Sequence, residues 1–159
     1  MTKQELVAHF IHQLEQDLAA AKEAARSSRD AATNEESKPE NQYDTRALEA
    51  SYLAGAQAHR VVQINEVLVT LQTMKIIDFG ERDTIKASAL TTIRMDGKTS
   101  RLFVLPKGGG VNLKLDGETI QIVTPSSNLG EAILGLKAGE VAEFEVGDQL
   151  KECEILKVQ

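Results

Sequence analysis

The side chains with the greatest chemical potential lie close together. Between residues 35 and 44 the sequence sets Glu35, Glu36, Glu40 and Asp44 around one lysine, Lys38, and the first proline, Pro39. Carboxylates crowded in this way suit a hard cation, which prefers their oxygens, or a basic channel. Glu40 and Asp44 would stand one helical turn apart on the same face. The same residues also carry a helix-start signal. Ser37-Lys38-Pro39-Glu40 has the form of a capping box, with the Ser37 hydroxyl accepting from the backbone at Glu40 and Glu40 reaching back to the Ser37 amide. Pro39 suits a first turn, where its missing donor would have no partner anyway. A solvated capped turn and a functional tip are equally compatible with these residues alone.

Elsewhere the usual chemical groupings are missing. His9 and His12 fall far along a helix from His59 in the arrangement derived below, so they share no metal ion. The single cysteine, Cys153, makes no intramolecular disulfide and fits a buried strand position. Gly108-Gly109-Gly110 lacks the following Lys-Ser/Thr of a phosphate cradle and reads as a mobile strand connection. No serine, histidine and carboxylate grouping suggests an autonomous enzyme, and no metal or cofactor of the chain's own is expected. A net charge of -6 argues against a general grip on nucleic acid. The polar N-terminus resembles neither a signal peptide nor a membrane span, and a reducing cytoplasm is the expected compartment.

The elements that hold the acidic stretch follow from periodicity. No proline or glycine occurs from Thr2 to Thr33, and Val7, Ile11, Leu14, Leu18, Ala21, Ala25, Ser28 and Ala32 recur at intervals of three and four. From about Glu40 to Met74 a second seam runs through Ala47, Ala50, Ala54, Ala58, Val61, Ile64, Leu68 and Leu71. Facing residues of an antiparallel hairpin have sequence numbers with a nearly constant sum. The two seams meet that condition, with the centre at Pro39. Large residues pair near the open end and alanines toward the turn, predicting a rod on the order of 45 to 50 Å long that thins toward residues 34–44. The rod is expected to be monomeric, with a dimerising coiled coil or spacer as its plain structural alternative.

Residues 77–83 read as a connector, and beyond them the period changes to two. Segments 85–93, 99–105, 111–115, 119–123, 141–146 and 152–158 read as strands, with turns at Asp96-Gly97, Asp116-Gly117 and Gly147-Asp148. Ser127 or Asn128 caps a short helix that Gly135 ends. The expected class is α+β: a helical hairpin over 1–76 and an antiparallel sheet with one short helix over 84–159.

Two stretches resemble the Gre family of bacterial transcript-cleavage factors. Glu40-Asn41 with Tyr43 and Ala47 is similar to the family's acidic tip, and Ser126-Ser127-Asn128-Leu129-Gly130-Glu131-Ala132-Ile133-Leu134-Gly135 is similar to its C-terminal docking motif and short helix. The resemblance implies an FKBP-like sheet domain that binds RNA polymerase, with Ser126, Ser127, Asn128 and Leu129 at the docking surface. It also implies that the hairpin enters the polymerase secondary channel, where Glu35, Glu36, Ser37, Glu40, Asn41 and Asp44 form the tip. Glu40 would there help hold a magnesium ion shared with the polymerase active site, and nucleic acid would be met only through the transcription complex. The family's tip has Asp-x-x-Glu, and here Ser37 stands at the aspartate position. A Gre-like paralogue that occupies the channel without cleavage is the alternative this departure raises, and an adaptor or chaperone-like coiled-coil protein unrelated to polymerase is the other.

Overall fold

The computed structural model of the chain describes residues 1–33, 38–43 and 45–159. Helix α1 spans Lys3–Thr33 and α2 spans Arg46–Thr73. They are followed by β1 (Leu90–Met95), β2 (Lys98–Val104), β3 (Asn112–Leu115), β4 (Glu118–Val123), α3 (Asn128–Ile133), β5 (Val141–Val146) and β6 (Gln149–Val158). A capping box starts α1: the Thr2 hydroxyl accepts from the Glu5 amide at 3.2 Å, and the Glu5 carboxylate accepts from the Thr2 amide at 2.6 Å.

The seams meet as their spacing predicts, with one exception. Ala58 is exposed and Gln57 is half-buried in its place, because the run 47, 50, 54, 57, 61, 64, 68, 71 keeps a strict three-four alternation. Position in the heptad thus overrides polarity, and one glutamine enters a seam otherwise made of alanines and larger apolar residues. The second helix also begins later than expected. Glu40 lies in irregular backbone six residues before Arg46. The Asn41 side chain accepts from the Tyr43 amide at 2.8 Å, a local turn that competes with helix at that point.

The six strands form one sheet in the order β3-β4-β2-β1-β6-β5. The α+β class holds, but the sheet expected to be antiparallel is mixed, since β2 and β4 pair in parallel. Leu102 to Leu105 are buried on both faces, and Ile120, Ile122 and Val123 of β4 are buried too. Two such apolar strands are best placed side by side, which leaves the alternating β3 at the edge. Asp96-Gly97 and Asp116-Gly117 adopt the left-handed conformations their turns require.

Each face of the sheet has its own core. On one, Ile93, Leu102, Val104 and Val123 pack with Ile133 of α3 and with Cys153 and Ile155. Burial raises the pKa of the Cys153 thiol. On the other, Phe103, Leu105, Leu113 and Ile120 pack beneath Phe10, Leu14, Ile64 and Val67 of the hairpin base. The Phe10 and Phe103 rings meet edge to face with centroids 6.0 Å apart.

The glycine triplet is not a mobile connection but a clasp on the hairpin. Gly108 is buried at φ +87, and a Cβ there would lie 2.8 Å from the Val67 side chain and 3.2 Å from its backbone. Gly110, at φ +77, comes equally close to the Gln63 side chain, and its carbonyl accepts from the Arg60 guanidinium at 3.0 Å. Only glycine combines this backbone conformation with such close approach to a helix.

Candidate functional site

Burial along the two seams falls from the base of the rod toward its far end. Toward the base from Ala21 and Ile64 its seam is buried apart from the half-buried Ile11; toward the far end Ala25, Ala32, Ala47, Ala50 and Ala54 are half-buried. There Tyr43 and Tyr52 are 82% and 84% exposed, and Leu48 is 70% exposed. Leu48 and Tyr52 stand one helical turn apart, so they share one face of α2.

Of the expected tip residues, Glu35, Glu36, Ser37 and Asp44 lie outside the described residues, and with them the capping box and the Glu40 to Asp44 pairing. Glu40 and Asn41 are described. The Glu40 carboxylate lies 3.3 Å from the Arg46 guanidinium at the first residue of α2, and both side chains are more than half exposed. An exposed pair of this kind contributes at most about 1 kcal/mol. Among the described residues no three His, Cys, Asp or Glu side chains stand together as a metal site. His12 instead contacts Gln16 at 3.0 Å.

The second predicted site, Ser126 to Leu129, is built around the start of α3. Ser127 is the N-cap: its hydroxyl accepts from the Gly130 amide at 3.0 Å and donates to the Thr124 carbonyl at 2.9 Å. The Asn128 amide donates to the Glu145 carbonyl at 3.0 Å and ties α3 to β5. Leu129 packs into the core on that face, while Ser126 is exposed and shares a 3.0 Å hydroxyl contact with Thr124. A Cβ at Gly130 would lie 1.9 Å from the Thr124 carbonyl oxygen, so the turn admits only glycine there. The segment thus presents Ser126 and Asn128 outward from a backbone fixed by Ser127 and Gly130.

A polar cluster not foreseen from the sequence closes the base of the rod. Lys3 Nζ donates to the carbonyls of Ile77 and Gln159 at 2.6 and 2.7 Å and stands 4.4 Å over the Phe79 ring. Burial lowers its pKa to about 8, against the opposing influence of Asp78. Residues 3, 77 to 79 and 159 are joined only by the tertiary fold, so no local pattern announces them. Among the described residues, no helix is long and apolar enough to cross a membrane.

Comparison with known proteins gives a match in sequence. The transcription elongation factor GreA of Thermomicrobium roseum is 24% identical over 117 residues, covering 74% of this chain and 69% of that protein. Among solved structures, GreA factor homolog 1 of Thermus thermophilus superposes with a TM-score of 0.39 at 16% identity over 94% of both chains. The Thermus aquaticus protein of that name gives 0.41 at 17% identity, covering 96% of this chain and 95% of its own. The GreA/GreB factor of Nitrosomonas europaea gives 0.36 at 14% identity over 70% of this chain and 92% of its own. No family model matches the sequence. In sequence the chain thus resembles a GreA elongation factor through 74% of its length.

Proposed function

We propose that this protein is an accessory factor that binds RNA polymerase during elongation, with the α1/α2 rod in the secondary channel and residues 38–43 toward the polymerase active site. The sequence match to a GreA elongation factor carries this reading. The form of the rod supports it, since an alanine seam keeps the far half narrow enough for a confined passage. Ser126 and Asn128, held outward at the start of α3, fit a docking surface on the sheet domain.

In this arrangement the factor has no active site of its own and lends a ligand to its partner's. Glu40 is the described carboxylate placed to help hold a magnesium ion of the polymerase, where the ion would activate water and stabilise charge on the phosphate. Two features weaken that contribution. Ser37 offers a neutral hydroxyl where the family's pattern has a carboxylate, and magnesium favours the latter. Arg46, at 3.3 Å, competes for the Glu40 carboxylate. The protein accordingly occupies the channel and stimulates transcript cleavage weakly or not at all.

The test sets the native protein, Ser37→Asp and Glu40→Ala side by side on core polymerase and on a backtracked elongation complex. All three should associate with polymerase, and only Ser37→Asp should raise cleavage clearly. Failure of the native protein to associate would overturn the reading as a whole. Strong Glu40-dependent cleavage by the native protein would refute the occupancy without cleavage.

A further inference from the structure

We propose that the cleft between the 77–83 connector and the loop after α3 binds a ligand carrying adjacent phosphate groups. Its walls are brought together by two backbone hydrogen bonds, from the Ile85 amide to the Leu136 carbonyl at 2.8 Å and from the Gly135 amide to the Ile85 carbonyl at 2.9 Å. This pairing sets Lys86 beside Lys137, and Arg82 completes the rim of a cavity of about 380 Å³ floored by Phe79. Three cationic residues and one acid, Asp83, thus line one concave site in a chain whose net charge is -6.

Asp83 also lines the cavity, and its carboxylate and that of the neighbouring Glu140 are each engaged by backbone. The Asp83 carboxylate accepts from the Gly80 amide at 2.7 Å, and the Glu140 carboxylate accepts from the Lys137 amide at 2.7 Å. Each carboxylate therefore serves the backbone of its own turn. The side chains of Arg82, Lys86 and Lys137 make no hydrogen bond or ion pair with the described residues. A guanidinium offers paired donors to phosphate oxygens, and two ammonium groups add point charges beside it. The overall negative charge of the chain is screened beyond roughly 10 Å and does not cancel so local a field. Phosphate oxyanions on neighbouring atoms match three cationic residues lining one cavity better than a single carboxylate would.

The site lies on the sheet domain, away from the hairpin tip, so its test is independent of polymerase binding. Full-length protein is titrated with inorganic pyrophosphate and, separately, with a short single-stranded oligonucleotide. Saturable binding of at least one probe is expected, weakened about tenfold or more by the combined Arg82→Gln, Lys86→Gln and Lys137→Gln variant. A control carrying Lys22→Gln, Lys75→Gln and Lys98→Gln makes the same change in charge elsewhere and should bind as the native protein does. Preference for pyrophosphate would identify a free anion as the ligand, and preference for the oligonucleotide a strand backbone. Absence of saturable binding by both probes would overturn the proposal, as would an equal loss in the control. Circular dichroism of both variants confirms that they fold.

Discussion

At its base the hairpin buries Phe10, Leu14, Ile64 and Val67 almost completely against the sheet, whereas toward Thr33 and Arg46 the same two helices meet through half-buried alanines. The base shares one core with the sheet, in which the Phe10 ring meets Phe103 of β2. The far half has only its partner helix to pack against, and it leaves Leu48 and Tyr52 in solvent. The difference separates two tasks within one element: the base fixes where the rod points, and the far half keeps it slim. Stability should therefore be concentrated at one end of a helix whose composition is favourable throughout.

Phe10→Ala should have the largest effect. It removes a fully buried ring that joins α1 to Phe103, and a loss of about 3 to 5 kcal/mol is expected in denaturant unfolding. A loss below about 1 kcal/mol would mean that the hairpin and the sheet are not stabilised through this contact. In the far half, Ala50→Gly should cost only about 1 kcal/mol, the intrinsic helix penalty, because little packing is lost with one methyl group. Hydrogen exchange should show the same gradient, with amides near Ile64 protected longest and those near Ala50 exchanging earlier.

The contrast was legible in the sequence to the extent that it is periodic. The large-to-small gradient of the two seams located both the base and the slender half, because residues three and four apart share a face whatever the tertiary context. At Gln57 the period was the better guide than side-chain type, since the neighbouring alanine drew the expected seam one residue off its face. The Asp-Gly turns were equally readable, since their backbone conformations restrict residue choice. The parallel pairing of β2 with β4 was not, because strand order depends on which apolar strands compete for the centre rather than on any one strand. Ser127 was readable as a cap from its position before an apolar run, whereas Lys3 and the clasp at Gly108 depend on partners more than 40 residues away in the chain. The expected start of the second helix near Glu40 gave way to a turn set by Asn41, a short-range competition that helix propensity does not capture.

The smallest expected effect lies at the edge of the base and concerns pH. In the folded protein the Lys3 pKa is about 8, below the ordinary lysine value of 10.5. The unfolded chain therefore binds this proton more tightly than the folded one, and the lysine's contribution to stability rises as pH increases from about 8 toward 10.5. The native protein should gain slightly on Lys3→Gln across that interval. A difference that stays flat would show that the ammonium remains as well solvated there as in the unfolded chain.

The close seating of Gly108 on Val67 also has a mechanical meaning. From Val67 the second helix runs back 21 residues to Arg46, roughly 32 Å, so a tilt of about 5° at the base carries that end through about 3 Å. A methyl group inserted at Gly108 would act as a shim under a long lever. The aim of the rod is thus set by the thinness of a single backbone contact, and the residue that governs where the distant end arrives has no side chain at all.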